Sequence, residues 1–394
     1  MPPERLARIQ PFGIEAVARA ADRSADVLRL ENLDTDIAPP AAAIAATRDA
    51  VGADDANSYL PFTGLPSLRA AVAARIGAET GADIDPDRGV VISSGGLAGI
   101  LSAVLATVDA GDEVIVTDPS YAGILARVRL AGAVPQEVPF VSVDGHWRLD
   151  LDALAAAARP RTRAVLLADP SMPTGAVLDD AEWDAIAAVC QSTGAVLLYD
   201  AAYHRVRYDG RAPTHPATRP GLQGRTLTIG SVSKELRMIG WRVGWIAGPA
   251  ELVARAAQAV IYNTVVPSGF AQLGAHAALT CAEDGIDAAV AEWQRRRDAL
   301  ALQLAGLPFT TADGAWSLLL DAAALGTDPG LLSAALLEQG AAATPMTAWG
   351  ERVAPRHLRF VFSNEPVGRL QGLRASLDAA LERPALGSAS PGAR

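Results

Sequence analysis

Ser231-Val232-Ser233-Lys234-Glu235, followed by Gly240-Trp241-Arg242-Val243-Gly244-Trp245, is the stretch on which the reading of this 394-residue chain turns. Lys234 is the only lysine, because 33 of the 34 basic residues are arginine. Such a bias suggests a GC-rich genome in which Lys drifts to Arg wherever only charge is needed, which makes the retained amine a position to weigh. A guanidinium stays protonated, whereas a desolvated ammonium loses its proton and then serves as a nucleophile or forms a Schiff base. On the count alone, a leftover surface lysine is an equal alternative. Ser231 stands three residues before the amine and Arg242 eight after it, a plausible phosphate cradle. Upstream, Ser94-Gly95-Gly96-Leu97 closes an apolar run and opens a helical one. That arrangement places free N–H groups at a positive helix end where a dianion can sit, although a glycine turn alone often only redirects the chain. Together these features imply a phosphorylated cofactor near Lys234.

Composition narrows the classes of function. Half of the residues are hydrophobic and 20% are charged, so the chain is well supplied for burial and is neither disordered nor fibrous. A net charge of -10 argues against a nonspecific grip on nucleic acid or anionic lipid. Cys190 and Cys281 are too few for a disulfide scaffold or a Cys-based zinc site, and the five histidines lack the spacing of a helical metal site. No metal is therefore expected. The first residues lack a secretory pattern, and a reducing cytoplasm fits. The uncharged stretch from Gly89 to Val108 has the length of a membrane span. Ser93-Ser94-Gly95-Gly96 breaks it in the middle, which reads as strand, turn and helix, so no membrane partner is expected.

Outward from the lysine, apolar runs of strand length alternate with Ala-rich segments of helix length, the pattern of an α/β fold. Strands are predicted at 90–92, 113–117, 164–168, 195–199, 226–229 and 243–247, mostly as continuous apolar runs suited to burial on both faces. Helices are predicted at 97–107, 121–131 and 180–191, the last after the N-cap pair Asp179-Asp180. Beyond Pro267 the pattern is more helical, and the short runs 317–320 and 358–362 point to a small α+β unit. The expected division is a large domain over 45–285, a small one from 1–44 and 286–381, and a flexible tail over 382–394. There is no internal repeat.

Asp200 ends a predicted buried strand, so its carboxylate is expected to face the crevice beyond the sheet, where it could pair with a protonated ring nitrogen; a turn or N-cap Asp is the alternative. Tyr203 follows, and Tyr121 ends Asp118-Pro119-Ser120-Tyr121 at another strand end. The order of Tyr59-x4-Gly64-x3-Leu68-Arg69, Ser94-Gly95-Gly96, Asp118-Pro119-Ser120-Tyr121, Pro173-Thr174-Gly175, Asp200-x2-Tyr203, Ser231-x2-Lys234-x7-Arg242 and Arg359 resembles the class I/II aminotransferases. These are fold type I enzymes that use pyridoxal 5'-phosphate (PLP). The resemblance runs from about Leu30 to Ala375. It implies a large, mostly parallel sheet with helices on both faces, plus a smaller α+β domain.

The resemblance implies roles residue by residue. Lys234 is the Schiff-base lysine and moves the Cα proton. Ser231, Arg242, Gly95 and the amides of Gly96 and Leu97 hold the phosphate. Asp200 pairs with the ring nitrogen, Tyr203 with the ring hydroxyl, and Tyr121 stacks on the ring. Arg359 clamps the substrate carboxylate as a bidentate pair; its other reading is a strand-edge surface arginine. Tyr59 reaches the phosphate of a neighbouring subunit, which implies a homodimer with shared sites.

Three departures stand out. Asp169-Pro170-Ser171-Met172-Pro173-Thr174-Gly175 places Met172 where the family has an amide, next to ring hydroxyl and substrate carboxylate. Leu33-Asp34-Thr35-Asp36 replaces Gly-Glu-Pro-Asp, putting Leu33 in the segment that closes over the substrate. Pro345-Met346 replaces Pro-Gly. The expected activity is ping-pong transamination between amino acids and 2-oxo acids. The alternatives are an elimination, replacement or cyclising enzyme of specialised amino-acid biosynthesis, which Met172 keeps open, and a non-catalytic PLP-binding regulator. Phe12, Leu33, Trp241, Trp316 and Trp349 hint at an apolar or planar side-chain pocket, while Asp34 and Glu235 could receive a cationic one.

Overall fold

The computed structural model describes residues 4–11, 13–24 and 26–382. Phe12 and the tail from 383 onward lie outside the described residues. An eight-stranded sheet runs in the order Val90–Ser93, Gly244–Ala247, Thr226–Ser231, Val196–Asp200, Thr162–Ala168, Glu113–Asp118, Val134–Val143, His146–Leu149. Thr226–Ser231 through Val134–Val143 are mutually parallel. Gly244–Ala247 is antiparallel to both neighbours, and His146–Leu149 returns antiparallel as a hairpin.

The period of two along a strand explains why the runs read as continuously apolar. Val114, Val116, Leu166 and Leu198 pack on one face with helices Gly96–Thr107, Ala122–Leu130 and Ala250–Thr264, through Ile100, Val104, Ile124, Val128 and Val260. Ile115, Val165, Leu167, Leu197 and Tyr199 face the other way, against Trp183 and Ile186 of helix Asp180–Thr193. Each such leucine or isoleucine contributes about 2 kcal/mol by leaving water. Helix Asp180–Thr193 begins where expected: Asp179 accepts from the Glu182 amide and Glu182 accepts from the Asp179 amide, a reciprocal cap.

A second, four-stranded antiparallel sheet is built from Phe309–Thr310, Ser317–Asp321, His357–Val361 and Thr344–Pro345. Leu28–Arg29 pairs in parallel with Ala341–Ala342, so the beginning of the chain is stitched to its later portion. Among the described residues no helix is long and apolar enough to cross a membrane.

Candidate active site

Strands Thr162–Ala168 and Val196–Asp200 end together at the register partners Ala168 and Asp200, level with Ile229 near the end of Thr226–Ser231. Beyond these ends lies a cleft of about 540 Å³. Lys234 reaches it from the loop after strand Thr226–Ser231, and Asp200 points in from the last position of its own strand. Tyr203, Tyr121, Met172 and Leu33 complete the wall, with Gly96, Leu97, Ser231 and Arg242 at one end. The strand-to-helix turns at 93–96 and 118–122 deliver the glycines and Tyr121 to the same rim.

Lys234 is half-buried. Its Nζ donates to the Leu33 carbonyl at 2.8 Å and sits 4.8 Å from the centre of the Trp316 ring. Desolvation pulls its pKa from 10.5 down to about 7; nearby Asp34 and Asp200 oppose the fall, while Arg242 and Arg359 add to it. Near neutrality a large fraction is therefore the free amine that a nucleophile or proton carrier requires. Asp200 is moved the other way, up to about 6, by burial, although the Ala202 amide at 3.0 Å and Lys234 favour its charge.

Several groups wait for a partner. The Tyr203 hydroxyl is buried with no hydrogen-bond partner among the described residues, and burial holds its proton well above the usual tyrosine range. Arg359 is fully buried. One of its nitrogens, Nη2, is anchored on Glu31 O and on Thr344 Oγ1, while Nε and Nη1 have no acceptor among the described residues. A buried fork with one edge unpaired is costly unless a carboxylate fills it. Desolvation lowers even this guanidinium to about 10. At the phosphate end, Gly95 adopts φ +84°, and a Cβ there would lie 2.6 Å from Arg242 Nη2; a Cβ on Gly96 would lie 3.6 Å from Ser231 Oγ. The bare backbone, the Ser231 hydroxyl and the exposed Arg242 thus form one anion-sized cradle. A phosphate, a ring hydroxyl, a ring nitrogen and a carbonyl carbon each find a matching group here, so the residues present fit PLP.

Met172 is buried in the wall of the cleft. Its Sδ lies 3.4 Å from Ser317 Oγ, whose proton is given to Pro173 O at 2.7 Å. Tyr59 stays outside the cleft, 83% exposed and edge-on to the half-exposed Phe62 at 6.4 Å. Glu235 does not face the cleft: it is buried, ion-paired with Arg75 and at 3.1 Å with Arg205, which removes it as a receptor for a cationic side chain. Trp241 is also turned away, its indole N–H on Thr47 Oγ1 at 2.8 Å. Trp316 packs on Tyr203 at 5.3 Å, and Trp349 on Tyr121 at the same distance.

Sequence reasoning missed the helix Gly13–Ala21, which places Ile14, Glu15 and Ala18 at the cleft. Its signal was present: Ile14, Val17, Ala18 and Ala21 recur at helical spacing. The Leu33 carbonyl had none, since every residue carries one.

A parallel-rich α/β sheet with an amine of lowered pKa at its carboxyl ends, beside a glycine and serine anion cradle, is the architecture of fold type I enzymes. Among solved structures, the chain is similar to N-succinyldiaminopimelate aminotransferase from Mycobacterium tuberculosis, with a TM-score of 0.90, 32% identity, and 97% of this chain and 100% of that one covered. It is also similar to aspartate aminotransferase from Thermus thermophilus with maleate, at TM-score 0.87 and 29% identity, with 96% and 98% covered. The family of aminotransferases class I and II matches residues 26–374, and the chain belongs to it. In sequence it is 33% identical to arginine–pyruvate transaminase of Pseudomonas aeruginosa over 293 residues, covering 74% of this chain and 73% of that protein. Members of this family work with PLP.

Proposed function

We propose that this chain binds PLP at Lys234 and transfers amino groups between amino acids and 2-oxo acids by a ping-pong mechanism. The observation that carries the reading is that the sole lysine, with its pKa lowered to about 7, stands at the strand ends between Asp200, Tyr203 and the glycine cradle. When bound, the cofactor supplies a sink for the electron pair left as the Cα proton departs. Asp200 would hold the ring nitrogen, Tyr203 would donate to the ring hydroxyl and Tyr121 would cover the ring face. Ser231, Arg242 and the amides of Gly96 and Leu97 would hold the phosphate. Arg359 would take the substrate carboxylate on its free Nε and Nη1, orienting Cα–H toward Lys234 Nζ, which takes the proton and returns it. Ile14, Ala18 and Leu33 exclude water from that transfer.

We take residues 45–285 as the PLP-binding unit and 1–44 with 286–381 as the smaller one. The exposed Tyr59 and Phe62 support a homodimer in which Tyr59 completes the neighbouring phosphate site.

The test is a single-turnover screen of amino acids on the holoenzyme. Transamination yields one equivalent of 2-oxo acid per site without an acceptor and repeated turnover once a 2-oxo acid is added. Continuous ammonia release without an acceptor would assign an elimination instead.

Arg359→Lys is expected to raise KM for amino acid and oxo acid roughly tenfold or more, because a point charge replaces a planar fork. Steady-state kinetics with both substrates check this; an unchanged KM places the carboxylate elsewhere. Met172→Asn adds an N–H beside the ring hydroxyl and is expected to lower the pH at which the visible cofactor band converts, since a thioether cannot donate. A titration with no shift, or an upward one, assigns Met172 to packing alone.

A further inference from the structure

The Arg359 fork is held by more than its own hydrogen bonds. Among the described residues only Nη2 is anchored, and the guanidinium carbon sits over the Trp349 indole, 4.6 Å from the ring centre. The same indole meets Tyr121 edge-on at 5.3 Å. One side chain therefore touches both the proposed carboxylate clamp and the proposed ring-stacking residue. Trp349 is completely buried, yet its indole N–H has no partner among the described residues, so its own polar group does not hold it. Its place is set by core packing and by the backbone that carries it.

That backbone is gathered by Asp118. The Asp118 carboxylate is fully buried and accepts from three successive amides, Arg352 at 2.7 Å, Val353 at 3.0 Å and Ala354 at 3.0 Å. Glu137, on the adjoining strand, takes the Glu351 amide at 2.8 Å. Between the indole and the anchored amides stands Gly350, where a Cβ would fall 1.9 Å from Asp118 Oδ1, so only glycine lets the loop close on the carboxylate. The turn carrying Tyr121 is tied in as well, the Ser120 amide donating to Trp349 O at 2.8 Å. A carboxylate that satisfies three N–H groups is a strong, directional anchor.

We infer that Asp118 is a positioning residue for substrate binding: by gathering the amides of 352–354 it sets the Trp349 indole, and the indole sets the Arg359 fork. The inference rests on the reading of Arg359 as the carboxylate clamp. Asp118 touches neither cofactor nor substrate in this role, so its reach is to ligands that carry a carboxylate.

The experiment compares holoenzyme variants by the Kd of two probes read from the cofactor band: 3-phenylpropionate, a carboxylate without an amine, and 3-phenylpropylamine, an amine without a carboxylate. Asp118→Ala is expected to weaken the carboxylate probe roughly tenfold, the scale of a misaligned charge-assisted pair, with the amine probe unchanged. KM for amino acid should rise in step while kcat changes less. Gly350→Ala, which pushes the loop off Asp118 by a different route, is expected to reproduce the pattern, and Asp118→Asn, which keeps one acceptor oxygen, to restore part of it. If Asp118→Ala does not fold, the Gly350→Ala and Asp118→Asn pair carries the test. Equal weakening of both probes, or no change in either, overturns the inference. If Arg359→Lys leaves the carboxylate probe unaffected, the clamp reading itself fails; if it weakens that probe while Asp118→Ala and Gly350→Ala do not, only the positioning role fails.

Discussion

Lys234→Ala is expected to abolish the covalent, borohydride-reducible link to the cofactor and to reduce turnover to background. No other residue can take over, because the chain has no second lysine and its arginines stay protonated. The amine is set for its task by the cleft: desolvation outweighs the pull of Asp34 and Asp200, and the pKa falls to about 7. The sign gives a second readout. In the cofactor-free protein, the Lys234 ammonium loses its proton as pH rises through about 7, whereas an exposed lysine does so near 10.5. Labelling by an amine-specific reagent, followed by mass spectrometry of the peptide bearing residue 234, should therefore show a rate midpoint near neutrality. A midpoint near 10 would mean that burial in the cleft does not perturb the amine. A reducible PLP adduct on Lys234→Ala would remove it from the chemistry altogether.

The parts of the fold legible in the sequence were those whose burial is symmetric. Strands 162–168 and 196–200 are apolar at nearly every position because alternate side chains enter cores on opposite faces. Val134–Val143 escaped the same reading. It contains Pro135 and Pro139, and its ends are exposed, so neither periodicity nor composition marks it as a strand. It is tolerated because residues 134–139 pair on one side only, with Glu113–Asp118, and the hairpin partner His146–Leu149 joins from Phe140 onward, so both prolines lie where one edge of the strand is open.

The site divides along similar lines. Lysine, glycines, Ser231, Asp200 and Tyr203 were legible because each is a specific residue type at the end of a strand or turn, where sequence order maps onto the cleft rim. Glu235 misled for the opposite reason. Adjacent to Lys234 in sequence, it projects into the ion pairs with Arg75 and Arg205, because neighbouring side chains leave the backbone in different directions. The Asp118 anchor joins residues more than 230 positions apart through backbone amides, which carry no residue-specific signal. What a single sequence hides here is chiefly the backbone's share of the site.

Asp200→Asn is expected to lower the rate of Cα deprotonation roughly a thousandfold while PLP is still bound, since the ring nitrogen loses the counter-ion that keeps it protonated and electron-withdrawing. The phosphate cradle is untouched by the change and Lys234 stays in place, losing only the opposing pull of Asp200 on its proton, so retention of cofactor and loss of rate are read separately. Asparagine also resembles in shape the protonated form of Asp200, whose pKa burial raises to about 6. Below that pH the free protein carries a neutral acid at this position, and above it a carboxylate. Cofactor affinity of the wild type should accordingly fall as pH drops through about 6, because a cationic ring nitrogen must first expel the proton from Asp200. The variant should lack that inflection. Stopped-flow measurement of a single turnover, with cofactor titrations at pH 5 to 8, tests both statements. Near-normal deprotonation, or the same inflection in Asp200→Asn, would reduce Asp200 to a turn residue whose carboxylate serves only the Ala202 amide.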